Sequence, residues 1–284
     1  MIEIRHKSSG DLLAGLERDT LALADLREMR LAGADLAGAD LRNTRLERTD
    51  LTDADLSGAD LSGATLTSAA LNGANLSGAN LSCAKLGVSS HTQATMMQQC
   101  DLSGANLSRA DLRNVEFRGS SLTGATLTRA DMRRANFSNC DLSGVTAFNA
   151  LFIKANLRDA NLSQSNLSDS HLNDAVLISA DLSGAILESL SHEGFTVINL
   201  ANLENARLNG AKLHGISAED ANFRNANLTD ADLTGAVLGG AILRNANVTR
   251  TDFAGVELAT VTMDFANFSQ ALNAEIPSYK ENLR

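Results

Sequence analysis

Ala54-Asp55-Leu56-Ser57-Gly58 runs directly into Ala59-Asp60-Leu61-Ser62-Gly63, and the chain keeps this five-residue phrase for most of its length. Working outward from Leu56, every fifth residue is Leu from Leu21 to Leu86. The phase then moves by one residue. A second run of centres extends from Leu102 to Leu187, with Phe, Met and once Ala147 among the leucines, and a third extends from Leu203 to Phe268. Of these 46 central positions 35 are Leu and all are apolar. That regularity cannot arise by chance in three freely chosen phases. Two residues before the centre stands Ala, or a slim substitute such as Thr49, Cys100 or Val115. Asp or Asn commonly fills the position between, so the unit reads A-(D/N)-L-(S/T/R)-G.

A period of five excludes the usual helical explanations. Five residues advance an α-helix by about 500°, so successive leucines would spiral around its axis instead of lining one face. A heptad seam fails for the same reason. A short strand fits locally, because residues two apart share a face while their neighbours point the other way. Ala and Leu then face inward. The fifth residue, often Gly, must turn the chain into the next side, and Gly tolerates the dihedrals of a tight corner.

On these repeats the chain resembles the pentapeptide-repeat protein family over about residues 19–270. The resemblance implies an all-β fold: a right-handed quadrilateral parallel β-helix, four pentapeptides per coil and about a dozen coils. At the strand spacing of about 4.8 Å this is a solenoid on the order of 60 Å long. Residues 1–18 are expected to cap it as a short strand or hairpin, from the alternation of Ile2 and Ile4 with Glu3 and Arg5, or as a helical turn or two over Asp11 to Arg18. Residues 271–284, with Pro277, read as a C-terminal cap or tail.

Composition narrows the function. The net charge of −10 and the lack of a Lys/Arg run argue against direct binding to nucleic acid or an anionic membrane. No stretch approaches the roughly 18 apolar residues that span a bilayer, and the first residues lack a secretory apolar core, so a cytoplasmic protein is expected. Cys83, Cys100 and Cys140 have no metal-ligand spacing. No phosphate loop, nucleophile elbow or zinc cluster stands in the chain, so catalytic residues, metals and cofactors are all expected to be absent.

The departures from the repeat are where function is sought. Two phase shifts, within residues 87–101 and 188–202, superimpose at an offset of 101 residues, bringing His91 onto His192. Read as one added residue each, they occupy equivalent places on a four-sided coil, as a bulge that re-aims side chains or as the harmless trace of a duplication. Apolar residues stand in outward slots at Phe148, Leu151 and Ile153, with Val176 and Ile178 one side further round and one coil on. They make a candidate partner surface, unless a local change of register turns Phe148 inward in place of Ala147. Stacking in steps of one coil places Asp40, Asp60, Asp101, Asp141 and Asp181 on one face, alternating with Asn80, Ser121 and Asn161, as a candidate acidic ladder.

These features point to a non-enzymatic interaction solenoid that presents polar ladders to a protein partner, as a monomer or end-to-end dimer. The resemblance implies an alternative. Some members of the family imitate duplex DNA, bind type II topoisomerases such as DNA gyrase, and protect them from quinolones or toxins. This chain departs from those members in its Leu-rich centres, and looks closer to the Leu-type proteins abundant in bacteria.

Overall fold

The computed structural model describes residues 1–89, 93–189 and 194–283. Its regularity starts with a local bond that explains the Asp and Asn before each centre. The Oδ1 atom of Asp55 accepts the backbone N–H of Ser57 at 3.0 Å, that of Asn75 the N–H of Ser77 at 3.1 Å, and that of Asp101 the N–H of Ser103 at 2.9 Å. Asp and Asn do this equally well, because both offer the same oxygen at the same reach. The corner closes when the N–H of Ala59 donates to the carbonyl of Leu56 at 3.0 Å. The fifth residue is left-handed there, with φ of 64° at Gly58 and 56° at Asp53, as a turn of type II requires.

Four such corners complete a coil, and the coils then pair in parallel. The N–H of Leu56 donates to the carbonyl of Asn75 at 2.7 Å, and the N–H of Asn75 to that of Ala54 at 2.9 Å. Asp55 therefore lies beside Asn75, 20 residues on, as Asp60 does beside Asn80. Each side of a coil thus contributes one rung to a column of rungs. Centres and the residues two before them fill the interior: Leu56, Leu61, Ala54 and Ala59 are all fully buried. Several polar residues at the small inward position donate a hydroxyl or thiol to a nearby carbonyl, as Thr49 does to Leu26 at 2.7 Å and Cys100 to Leu71 at 3.0 Å. Phe117 and Phe137, centres in neighbouring coils, stack with centroids 4.7 Å apart.

The chain forms two compact units, Met1–Asp141 and Leu142–Arg284, each a right-handed four-sided β-helix of this kind. In the first, β1 (Ile2–Arg5) and β2 (Leu12–Leu16) make an antiparallel hairpin. The first coil would otherwise expose a row of unpaired backbone groups, and the hairpin covers part of it. The N–H of Asp35 donates to the Arg5 carbonyl at 2.8 Å and the N–H of Lys7 to the Gly33 carbonyl at 2.8 Å. The His6 ring lies so close over Gly33 that a Cβ there would collide with it. The second unit ends in a 3-10 helix, Ser278–Leu283. From it Lys280 Nζ donates to the carbonyls of Leu258 at 3.0 Å and Val261 at 2.7 Å, and Tyr279 Oη to that of Ala259 at 3.0 Å. No helix among the described residues is long and apolar enough to cross a membrane.

The breaks in phase differ from a one-residue insertion. Across the first, Asn80 pairs with Asn106 and Ala70 with Met96, a step of 26 residues where 20 is the rule. Across the second, His171 pairs with Val197 and Ile186 with Lys212 by the same step. Six residues are added each time, a whole pentapeptide plus one, and counting by fives shows only the remainder. Met97 and Ile198, both fully buried, are the first centres after the breaks, ahead of Leu102 and Leu203. Equivalent placement of the breaks on a coil followed from a one-residue insertion and no longer follows. His91 and His192 lie outside the described residues.

Candidate partner-binding surfaces

The six-residue insertion divides the expected acidic ladder. Asp40, Asp60, Asn80 and Asn106 form one column of the first unit, whereas Asp35, Asp55, Asn75, Asp101, Ser121 and Asp141 form the next. Asp40 and Asp60 are therefore a side away from Asp101 and Asp141. Asp181 belongs to the second unit, in a column with Asn161, Arg207 and Asn227, and Arg207 stands 3.7 Å from its carboxylate. Counting the break as one added residue, a step of 21 from Asn80 to Asp101 where the pairing steps 26 to Asn106, merges the Asp40 and Asp101 columns.

The corrected Asp55 column is the more acidic surface. Four of its six rungs are Asp, and the corner that separates it from the Asp60 column carries only Ala37, Ser57, Ser77, Ser103 and Thr123, each followed by Gly. No side chain there is long enough to shield the carboxylates. Charge on this strip exceeds what the fold demands, since Asn would accept the same backbone N–H. Ser57, through its hydroxyl and its N–H, holds the Asp55 carboxyl below the usual carboxylate range, with a smaller effect from Lys7. The Asp60 column has a cation at its first turn, where Arg42 donates two hydrogen bonds to Asp40 and holds its pKa at about 2.

The opposite columns of the same unit are mixed. Arg27 and Arg45 both reach Asp25, Arg48 reaches Glu28, Arg113 reaches Asp111, and Arg133 reaches Asp131. Exposed pairs of this kind contribute little to stability. Their consequence is to neutralise that side.

Apolar groups mark the second unit. Ala147 is fully buried and its N–H pairs regularly with Asn166 at 2.7 Å, so the register does not change and Phe148 stays in its outward slot, half-buried. Leu151, Ile153, Val176 and Ile178 are half-buried in outward slots too. Leu151 and Val176 stand in adjacent columns, the former with His171, Val197 and Val237. Leu200 and Phe195 add exposed apolar surface in the same unit, which counting by fives had passed over because they follow or lie within the break.

The three cysteines divide by position. Cys100 and Cys140 are buried two coils apart in one inward column, where burial pushes each thiol up to about 12. Cys83 sits exposed on a left-handed corner with φ of 58°.

Coils of four pentapeptides, with Leu inside and Asp or Asn at each rung, define the class as a right-handed quadrilateral β-helix. The chain belongs to the pentapeptide repeats family, which matches residues 21–58, 59–87, 97–129, 110–146, 155–189 and 201–240. Among solved structures it is similar to HetL, a pentapeptide repeat protein involved in heterocyst differentiation regulation from the cyanobacterium Nostoc sp. strain PCC 7120. The identity is 26% over 89% of this chain and 91% of that one, with a TM-score of 0.39. It is also similar to trypsin-treated QnrB1, a plasmid-mediated fluoroquinolone resistance protein, at 20% identity over 85% of this chain and 88% of that one, with a TM-score of 0.31. No curated protein matches it in sequence.

Proposed function

We propose that this protein is a non-enzymatic interaction scaffold whose Asp55 strip engages a basic surface on a protein partner. The observation that carries the reading is the choice of Asp at Asp35, Asp55, Asp101 and Asp141 beside a corner of Ala, Ser, Thr and Gly. A row of exposed and half-buried carboxylates about 5 to 10 Å apart attracts cations and speeds encounter with a positively charged face. The apolar groups around Phe148 and Leu151 supply a second contact of different character, of the kind that lends affinity once the partner is aligned. The test is affinity capture from the source cell's lysate with wild-type bait and with bait carrying Asn at those four aspartates. Proteins with basic surfaces are expected on the first and not on the second; equal capture by both removes the strip from the reading.

A second reading is favoured by the same columns. Acidic groups in register along a β-helix present regularly spaced charge, as a nucleic-acid backbone does, and would suit the DNA-binding face of a type II topoisomerase. A gyrase supercoiling assay decides it. Inhibition or quinolone protection at micromolar protein supports DNA mimicry, and no effect there removes it.

A further inference from the structure

The first unit carries a second charged surface, opposite in sign to the Asp55 strip and on the opposite side of the coil. Columns follow one another around a coil in the order Asp55, Asp60, Thr65 and Ala70, and the Thr65 column continues through Lys85 to Asp111 and Asp131. That column is therefore two corners away from the strip. Residues 106–136 hold six arginines and no lysine against Asp111, Glu116 and Asp131, in a chain whose net charge is −10. Two of the six are matched locally, since Arg113 and Arg133 each donate two side-chain bonds to their own aspartate, Asp111 and Asp131.

The corners that flank these pairs are not matched. Cys83, Arg109 and Arg129 stack on one corner in three successive coils, where the Cys83 N–H donates to the Ser108 carbonyl at 2.9 Å and the Arg109 N–H to the Thr128 carbonyl at 2.9 Å. Arg134 stands on the corner at the other end of the same side. Arg109, Arg129 and Arg134 are exposed and make no ion pair among the described residues. Their φ angles are 58°, 59° and 60°, a left-handed conformation that Gly or Asn adopts at less cost, so the fold itself does not call for arginine there. Exposed Lys85 adds a cation in the coil of Cys83.

Guanidinium groups select a carboxylate or phosphate partner, because their planar donors match two oxygens at once. The chain's own Asp55 strip meets that requirement in two respects. Strip and patch share one period, a coil step of about 4.8 Å, so Asp35 and Asp55 are spaced as Arg109 and Arg129 are. Side-chain lengths also complement each other: the strip's corner carries Ala37, Ser57 and Ser77, each followed by Gly, and so lets long arginine side chains reach the carboxylates.

We propose that the basic partner of the Asp55 strip is a second copy of this chain, which lays Arg109, Arg129 and Arg134 along the strip. The inference rests on the proposed function of the strip and names its partner. Because strip and patch lie on opposite sides of the coil, a copy engaged through one still presents the other. The contact is heterologous and adds copies in a row instead of closing a pair.

The test uses two full-length variants. Asp35→Asn, Asp55→Asn, Asp101→Asn removes charge from the strip, and Arg109→Gln, Arg129→Gln, Arg134→Gln removes it from the patch; Gln99 and Gln164 already stand at such corners, with φ of 56° and 58°. In sedimentation from about 1 µM to about 1 mM, wild type should grow in average mass with concentration and revert to monomer when salt rises from about 0.05 M to about 0.5 M. Each variant alone should stay at 29.9 kDa, and an equimolar mixture should form pairs of twice that mass and nothing larger, since each supplies one surface. A measurement on wild type alone depends on no variant's folding: where half the copies are engaged through the patch, alkylation of Cys83, one coil from Arg109, should slow about twofold. Wild type that stays monomeric, variants that associate as wild type does, a mixture that stays monomeric, or association without protection of Cys83 overturns the proposal. Monomeric wild type that binds a poly-aspartate peptide through the patch overturns it too, and assigns the patch to an acidic segment of another protein. Capture of basic proteins from lysate by the strip is a separate result, so failure of the self-pairing and failure of the strip are told apart.

Discussion

Replacing Asp35, Asp55 and Asp101 together by Asn, and in a parallel protein by Ala, separates what the fold needs from what the surface adds. Each Oδ1 accepts a backbone N–H two residues on, at 3.4, 3.0 and 2.9 Å respectively. Ala removes all three bonds, at about 1 kcal/mol each, so the alanine protein should lose about 3 kcal/mol. Asn keeps the acceptor and removes only charge, taking the net charge of −10 up by three. Asp35 and Asp55 are neighbours one coil apart, and their repulsion in water is about 0.9 kcal/mol before salt screens it. The asparagine protein should therefore unfold within about 1 kcal/mol of wild type. Guanidinium unfolding followed by circular dichroism reads the difference as a shift in midpoint. An acid titration adds a check of sign. The depressed Asp55 carboxyl stabilises the folded chain above its unfolded value of about 3.9, and that contribution disappears as pH falls through its lower folded value. The asparagine protein lacks the term and should lose less stability on acidification. If Asn costs as much as Ala, the carboxylate charge and not its oxygen holds the corner, and the strip is structural.

Three shorter predictions follow from the interior and the corners. Leu56→Ala empties a fully buried centre and should cost about 2 to 5 kcal/mol in the same unfolding measurement. Lys154 is exposed at φ 60°, and Lys154→Gly should raise stability by roughly 0.5 to 1 kcal/mol, relief of left-handed strain exceeding the flexibility gained by the unfolded chain. Alkylation at pH 8 followed by mass spectrometry should modify Cys83 in the folded protein and spare Cys100 and Cys140 until denaturant is added. Because those two thiols are pushed up to about 12, their contribution to stability is complete below the unfolded thiol range of about 8.5 and is lost as pH rises through the folded value.

The repeat was legible because it depends on residues a few positions apart. Alternation within Ala54-Asp55-Leu56 sets which side chains face inward, the Asp55 oxygen reaches a backbone group two residues away, and a corner every fifth residue follows from those two facts. Which rungs stand beside one another was not legible. It depends on the exact number of residues between coils, and the insertion of six residues, seen by period counting as one, moved Asp101 and Asp141 to the column beyond Asp40 and Asp60.

The same division holds for the candidate sites. Sequence alone placed Leu151 and Ile153 in outward slots, since outward and inward alternate along a strand whatever the coil above it does, and left Phe148 between an outward slot and a change of register. Only the tertiary structure decided that Ala147 keeps its inward place, that Asp181 faces Arg207, and that Arg109 and Arg129 share a corner with Cys83. The physical reason is reach: a side chain's direction is set by its own backbone, but its neighbours across coils are set by hydrogen-bond register, which a single inserted loop resets for every rung that follows.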